Sequence, residues 1–149
     1  MRFSDDNGAT WSNGVRVNDD RTTNSQFLPK ISLDPTTGNV AVVWYDARAD
    51  QGAGGAGDTN GLPNDDAQFW GAFSTDGGQS FTSNFQISAG TSNSHDSKNG
   101  IDYGDYTGLA FYGGVAYPAW SDNSNSTVNN PDGALQKLDI YTATVHLPH

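Results

Sequence analysis

The stretch Ser4–Trp11 reads SDDNGATW, and a second stretch, Ser74–Phe81, reads STDGGQSF. Both fit one pattern, Ser-x-Asp-x-Gly-x-(Ser or Thr)-aromatic, and the second begins 70 residues after the first. We refer to them as box 1 and box 2. Short Asp and Ser side chains bond to nearby backbone groups, and Gly allows a positive φ, so these residues favour tight turns. Both boxes are therefore predicted to form hairpin turns.

Each box ends on a large apolar side chain, Trp11 or Phe81. We expect this ring to tuck under the turn and to join the core between neighbouring sheets, where its burial stabilises the fold by about 2–3 kcal/mol. The polar residues are expected to pair with loop backbone groups that would otherwise lack a partner. The predicted structural residues are Ser4, Asp6, Gly8 and Trp11 in box 1 and Ser74, Asp76, Gly78 and Phe81 in box 2.

A second repeat is formed by two apolar stretches that end on Trp and Asp. Asn39–Arg48 reads NVAVVWYDAR, and Gly114–Asn123 reads GVAYPAWSDN. Their tryptophans, Trp44 and Trp120, lie 76 residues apart. Periods of this length, carried by short strands and turn residues, indicate a repeat architecture.

The composition favours a β protein with many tight turns. The chain has 18 Gly, and all 17 of its acidic residues are Asp, which favours turns, whereas Glu favours helices. No stretch has the pattern of an amphipathic helix. The predicted strands are Pro29–Leu33, Asn39–Asp46, Ala67–Phe73, Phe85–Ser88, Tyr106–Phe111, Val115–Ser121 and Leu138–His146.

The net charge of −10 over 149 residues argues against nucleic acid and anionic membranes as partners. The Asp excess has two readings, which are turn chemistry with solubility and cation binding. Without Cys, neither disulfides nor thiolate metal sites can form. No signal segment or membrane-spanning apolar run is present. We expect an extracellular or periplasmic protein whose N-terminus lies outside this chain, with a cytosolic protein as the alternative.

Nearly the whole chain resembles the sialidase-like Asp-box (BNR) repeat proteins of bacteria, which are β-propellers. Besides the two boxes, the resemblance is carried by Trp44–Arg48, Phe73–Gly78, Tyr103–Leu109, Ala119–Asn123 and Asp139–Tyr141. It implies one propeller unit, 1–149, built of four-stranded antiparallel blades. Segment 1–17 would supply strands three and four of one blade, 28–88 a full blade, and 105–146 three strands of the next.

About two blades cannot close a propeller, which needs four to eight. The resemblance therefore implies a six-bladed ring, completed either by a homo-oligomer of three chains or by further sequence of a longer chain. In such propellers the boxes lie on one rim and the binding site on the other.

The residues expected on the binding rim follow the two Trp strands. Asp46 and Asp122 occupy equivalent positions, and an Asp pair can act as the acid and base, or the nucleophile, of a glycosidase. The alternative is that each caps backbone groups at a strand end. Arg48 could bind a ligand carboxylate or pair with a neighbouring Asp. The further predicted ligand-binding residues are Asp50, Tyr45, Tyr103 and Asp105, the tyrosines being either sugar-stacking or core residues.

The loop 50–66 reads DQGAGGAGDTNGLPNDD and is the longest irregular stretch near that rim. It offers oxygen ligands of the kind that calcium prefers. The predicted metal ligands are Asp58, Asn60, Asp65 and Asp66. A solvated flexible loop without an ion is the alternative.

The sialidase apparatus is incomplete in this chain, since it has no Glu and no Arg-Ile-Pro motif; Phe27–Lys30 stands in the comparable place. The first functional hypothesis is a glycan-binding or scaffolding module, with a carbohydrate ligand and without its own complete catalytic set. The second is a glycoside hydrolase, sialidase-like or using an Asp pair, whose site other blades complete. A purely structural interaction domain is the third.

Overall fold

The computed structural model describes residues 1–98 and 102–148, and it is all-β. Its strands form two four-stranded antiparallel sheets. The first has the order β1-β2-β3-β4, with bounds Gln26–Leu33, Val40–Asp46, Gln68–Ser74 and Phe85–Gln86. The second comprises β5 (Gly108–Tyr112), β6 (Val115–Asp122), β7 (Asp139–Thr142) and β8 (Val145–His146). A 3-10 turn, Ser94–Asp96, lies between the two sheets in sequence. The predicted all-β, antiparallel fold is confirmed.

The last predicted strand, Leu138–His146, is divided into β7 and β8. Both segments pair with β6, and Ala119 pairs with Thr142 whereas Ala116 pairs with Val145. The break lies opposite Pro118, which has no N–H to donate to a ladder. The hydroxyl of Thr142 donates to the Pro118 carbonyl at 2.8 Å instead.

Strand β2 is buried along its whole length because other parts of the chain pack on both of its faces. Val40, Val42 and Trp44 face one side, where the N-terminal residues Met1 and Val17 pack against them. The alternate residues of β2 face the second sheet. A strand that is buried on both faces has a nearly continuous apolar sequence, and β2 has such a sequence.

Aromatic rings join the two sheets. The Phe69 ring of β3 stacks on the Trp120 ring of β6 at a centroid distance of 4.9 Å. Tyr45 packs edge-on against Phe69 at 5.0 Å. The Tyr45 hydroxyl donates to the Ser121 carbonyl and accepts from the Ser121 N–H, both at 2.8 Å. The seam between the sheets therefore combines ring packing with a specific hydrogen-bond pair.

Box 1 is a closed network of side-chain and backbone hydrogen bonds. The Ser4 hydroxyl donates to Asp6 Oδ1 and accepts from the Gly8 N–H, each at 2.8 Å. The Thr10 N–H and hydroxyl both donate to the Asp6 carboxylate, at 2.8 and 2.7 Å. Gly8 has φ +87°, which favours glycine.

Box 2 repeats the same bonds. The Ser74 hydroxyl donates to Asp76 and accepts from the Gly78 N–H at 2.8 Å each. The Ser80 N–H and hydroxyl donate to Asp76 at 2.9 and 2.5 Å. Gly78 has φ +89°. The two predicted turns therefore share one hydrogen-bond pattern as well as one sequence pattern.

The expected burial of the closing aromatic is wrong for Trp11, which is 60% exposed. Phe81 is half-buried and packs in the apolar cluster that Val17 and Met1 also cover. The difference arises because the N-terminal hairpin packs on the first sheet with one side only, and within residues 1–98 and 102–148 no sheet covers its outer side.

Removal of the Tyr45 hydroxyl tests the seam. Tyr45→Phe leaves the N–H and carbonyl of Ser121 without this partner, which should lower the free energy of unfolding by about 1–3 kcal/mol. Urea denaturation measures the loss. Tyr112→Phe is the matched control, since Tyr112 is 65% exposed; an equal effect of both changes would contradict the assigned role of Tyr45.

The carboxylate of box 2 should make stability depend on pH. Hydrogen bonds from Ser80 and Ser74 hold the pKa of Asp76 down at about 2. Because the folded-state pKa lies below the unfolded value of about 3.9, the stabilisation is full above about pH 5 and is lost as the pH falls through about 2. Asp76→Asn should therefore lower the thermal midpoint at pH 7, with the gap to wild type narrowing towards pH 2. Asp5→Asn, which changes an exposed carboxylate, serves as the control; a gap that does not vary with pH would refute this assignment.

Candidate functional site

The predicted binding rim lies at the edge where β2 and β6 end, opposite the boxes. The register places Asp46 beside Gln26 and Gln68, whereas Ser74 at the start of box 2 pairs with Val40 at the other end of β2. The loop 50–66 joins β2 to β3 at the Asp46 end. We call this edge the β2/β6 rim.

Asp46 is buried at this rim and bonded on both carboxylate oxygens. Its Oδ2 accepts from the Trp44 indole N–H at 2.8 Å and from the Arg48 guanidinium at 2.7 Å. Its Oδ1 accepts from the Arg48 backbone N–H at 2.8 Å. The side chain is 0% exposed, so it binds neighbouring groups of its own strand end.

Asp122 repeats this arrangement in the second sheet. Its Oδ2 accepts from the Trp120 indole N–H at 3.1 Å, and its Oδ1 accepts from the Ser124 N–H at 2.7 Å. Asp122 is 2% exposed. The two residues expected to be catalytic therefore cap strand ends. This arrangement matches the alternative that the sequence analysis gave for them. A sugar cannot reach either carboxylate in this arrangement because both are enclosed.

Arg48 is held by several partners. Besides Asp46, it bonds to Asp19 at 2.7 Å and to Asn84 Oδ1 at 2.9 Å, and it lies 4.2 Å from the centre of the Trp70 ring. Burial acts to lower the pKa of Arg48, but the hydrogen bonds to Asp46 and Asp19 raise it above the ordinary value. Arg48 therefore pairs with neighbouring carboxylates, and both terminal nitrogens of its guanidinium are bonded, whereas its buried Nε has no partner among the described residues.

Tyr45 and Tyr103 are core residues, so the expectation that they line a ligand site is wrong. Tyr45 is 1% and Tyr103 8% exposed, and their rings pack 4.5 Å apart. The Tyr103 hydroxyl donates to the Ser92 carbonyl at 2.6 Å. Burial raises the pKa of Tyr103 to about 12. Enclosed rings cannot stack on a sugar.

The loop 50–66 is folded on itself. The Asp58 carboxylate accepts from the N–H groups of Gly54 and Gly61 at 2.8 and 2.6 Å. A Cβ placed on Gly57 would lie 2.2 Å from the Ala49 Cβ, so the loop packs closely against the end of β2. These contacts hold the Asp58 side chain inside the loop, whereas most other residues of the loop are exposed.

Three carboxylates of this region converge. Asp50, Asp58 and Asp66 are buried, and one oxygen from each lies within 4.8 Å of the others. Burial raises the pKa of Asp66, hydrogen bonds from Thr59 oppose the rise, and the charges of Asp50 and Asp65 add to it. A buried set of acidic oxygens of this kind could hold a metal ion.

The sequence predicted only part of this carboxylate cluster. Asp58 and Asp66 belong to it, and Asp50, expected to contact a ligand, belongs to it as well. Asn60, another predicted ligand of the loop, stays a prediction; its side-chain amide donates to Asp65 Oδ2 at 3.1 Å, and its oxygen accepts from the Leu62 N–H at 2.8 Å. Asp65 is half-buried beside the cluster. The signal for Asp50 was its place as the first residue of loop 50–66, shortly after the end of β2 at Asp46.

Asp105 lines an open cleft between the starts of β1 and β5. The cleft has a volume of about 190 Å³. Tyr106 is 85% exposed, and Lys30 on β1 is also exposed. The lining residues are Leu28, Pro29, Lys30, Asp105, Tyr106 and Thr107. Tyr106 was missed because the sequence placed it inside a strand; its position next to Asp105 was the available signal.

A larger cavity, of about 590 Å³, lies on the opposite face of β1 and β2. Apolar residues such as Trp44 and Ile31 line it together with the cationic residues Arg2, Arg16 and Lys30. The N-terminal segment forms its other wall. This groove is therefore an incompletely covered face of the first sheet.

Comparison with known proteins found no family model, no curated protein and no solved structure that matches this chain. The resemblance to Asp-box proteins thus depends on the residues named above. In residues 1–98 and 102–148, no helix has the length and hydropathy needed to cross a bilayer.

The two strand-end carboxylates should differ in their effect on stability. Asp46→Asn removes the buried one of the two carboxylates that pair with the Arg48 guanidinium and should cost about 3 kcal/mol of unfolding free energy. Asp122→Asn disturbs only neutral donors and should cost about 1 kcal/mol. Urea denaturation of both variants measures the difference. Equal costs would mean that the ion pair with Arg48 contributes nothing beyond the hydrogen bonds.

Proposed function

We propose that this chain is a module of a sialidase-like β-propeller that binds glycans without a complete catalytic set of its own. Three repeated features support the propeller. These are two four-stranded antiparallel sheets packed face to face, two boxes with one hydrogen-bond pattern, and two Trp-x-Asp strand ends with the same indole–carboxylate bond. In this proposal the sheets are neighbouring blades.

Completion of the ring would use the uncovered surfaces at both ends of this unit. The groove of about 590 Å³ would receive inner strands of a neighbouring blade. Exposed apolar residues of the second sheet, Tyr117 and Ile140, would meet the next blade. Either three copies of the chain or further sequence could supply these blades in a six-bladed ring.

The observation that carries glycan binding is the cleft of Lys30, Asp105 and Tyr106. In the proposed propeller β1 and β5 are the innermost strands, so this cleft would open towards the central channel. An exposed Tyr ring can stack on the apolar face of a sugar. Asp105 can accept hydrogen bonds from sugar hydroxyls, and Lys30 can donate to them or pair with an acidic sugar.

The alternative, a glycoside hydrolase, would require residues from other blades. Asp46 and Asp122 are enclosed, and each already accepts hydrogen bonds from its own strand end. A site completed elsewhere in the ring would have to supply the acid and the nucleophile. The binding module is therefore the better-supported function.

Calcium is the ion that we propose for the cluster of Asp50, Asp58 and Asp66. All of the atoms that could bind the ion are carboxylate oxygens. Calcium prefers oxygen ligands, whereas zinc is commonly bound by nitrogen and sulfur. An extracellular or periplasmic location would suit this choice, because modules outside the cell bind calcium weakly and are loaded by the medium.

Substitution of Tyr106 tests the glycan cleft. Tyr106→Ala should abolish binding on an array of neutral and acidic glycans, with the unfolding free energy changed by less than about 0.5 kcal/mol because the ring is exposed. Tyr112→Ala is the matched control, since Tyr112 is an exposed ring at the far end of β5.

The wild-type protein should release no chromophore from aryl glycosides. Turnover that is lost on Asp46→Asn or Asp122→Asn, with the fold retained, would favour the hydrolase instead. Binding that survives Tyr106→Ala would move the glycan site elsewhere, and neither binding nor turnover would leave a structural interaction domain.

A further inference from the structure

The carboxylate cluster contains oxygens that the protein itself does not satisfy. Asp50 is 0% exposed, and its Oδ1 is buried without a hydrogen-bond partner among the described residues. Its other oxygen, Oδ2, accepts from the N–H groups of Asp65 and Asp66 at 2.8 and 2.9 Å. The buried Oδ1 of Asp65 also accepts no hydrogen bond from the described residues. Buried acceptors without a partner are rare and costly, so these oxygens point to a ligand.

The geometry of the cluster fits one ion. Two oxygens bound to one Ca²⁺ at about 2.4 Å can be at most about 4.8 Å apart. One oxygen each of Asp50, Asp58 and Asp66 lies within 4.8 Å of the others. Several carboxylates at this separation repel one another strongly in a buried setting, and a divalent cation removes that repulsion.

The loop has no cation of its own to balance this charge. Segment 50–66 carries four Asp and neither Lys nor Arg. The nearest arginine in sequence, Arg48, bonds to Asp46 and Asp19. An ion from solution is therefore the natural counter-charge.

The cluster lies at the seam between the two sheets. Directly after Asp66, Ala67 exchanges two backbone hydrogen bonds of 2.8 Å with Ser92. Ser92 in turn donates from its hydroxyl to the Asn123 side chain at 2.8 Å. A second hydrogen bond joins the linker to the loop, because the Thr91 hydroxyl of the linker donates to the Ala56 carbonyl of the loop. Movement of the loop would therefore disturb the linker between the sheets.

We infer that Ca²⁺ bound by Asp50, Asp58 and Asp66 fastens loop 50–66 to this seam. This ion-dependent clasp rests on the proposal that the cluster binds calcium. With the ion, the loop holds the linker segment 89–96 against the second sheet. Without it, the like charges push the loop away from the seam and both segments open.

Calcium binding is measured first, by calorimetric titration of CaCl₂ into chelator-treated full chain, with MgCl₂ as a comparison. We expect one Ca²⁺ per chain, and binding about tenfold or more weaker in Asp50→Asn, because one charged ligand is lost. Asp5→Asn, an exposed carboxylate of box 1, is the matched control and should bind as wild type does. In Asp50→Asn the new amide oxygen can still accept from the Asp65 and Asp66 N–H groups, so the variant should remain folded.

Hydrogen exchange read by mass spectrometry then tests the clasp. Segments 50–66 and 89–96 should exchange faster in chelator than in Ca²⁺, while β2 should not change. In Asp50→Asn the exchange should not respond to Ca²⁺ at matched concentration. Should Asp50→Asn fail to fold, the wild-type comparison of Ca²⁺ with chelator still decides the question.

The two experiments distinguish binding of the ion from its effect on the loop. No heat with Ca²⁺ would overturn both the calcium proposal and the clasp. Binding of Ca²⁺ without a change in exchange would keep the ion and overturn the clasp. Neither result bears on the glycan cleft, which Tyr106→Ala tests separately.

Discussion

The structure depends on the burial of β2 on both of its faces. A strand in this position is apolar along most of its length, and each side must be covered by a different part of the chain. The N-terminal residues Met1 and Val17 cover one side, and the second sheet covers the other with Phe111 and Trp120. This requirement stacks the sheets face to face rather than side by side. It also aligns the ends of β2 and β6, so that the Trp-x-Asp ends, the acidic loop and the β1/β5 cleft all lie at one rim.

Asp occurs in three kinds of setting in this fold, and they differ in whether both oxygens of the carboxylate have a donor. In the boxes, Asp6 and Asp76 accept from backbone and hydroxyl groups of a single turn, and the turn closes. At the strand ends, Asp46 and Asp122 accept from an indole and a backbone N–H, which fixes the tryptophan of each blade-like unit. In the cluster, one oxygen of Asp50 has no donor among the described residues. The first two settings satisfy the carboxylate within the chain, whereas the third leaves a buried oxygen in a cluster that could hold a metal ion.

Much of the fold could be predicted because its signals are local. The alternation of apolar residues and the flanking Gly, Asn and Asp placed the strands, and the box patterns placed two turns that share their hydrogen bonds. The site was harder to predict. Tyr45 and Tyr103 were expected at a rim, yet their rings belong to the seam, since a Tyr can have its hydroxyl bonded inside a core. Trp11 was expected in the core and is exposed. Burial of a ring depends on which surface lies opposite it, and the sequence around the ring does not contain that surface.

The sequence by itself determined the all-β class, the antiparallel strands, the two box turns and the acidic character of loop 50–66, because turn chemistry and strand alternation act over a few neighbouring residues. Only the tertiary structure decided which acids meet. It enclosed Asp46 and Asp122 and thereby removed them from contact with a sugar, it joined Asp50 to Asp58 and Asp66, and it placed Tyr106 beside Lys30 across two sheets. The cleft brings together residues far apart in the chain, and the packing of one sheet on the other sets their distances. The carboxylate cluster depends on how loop 50–66 folds on itself, so no short pattern of residues specifies either site.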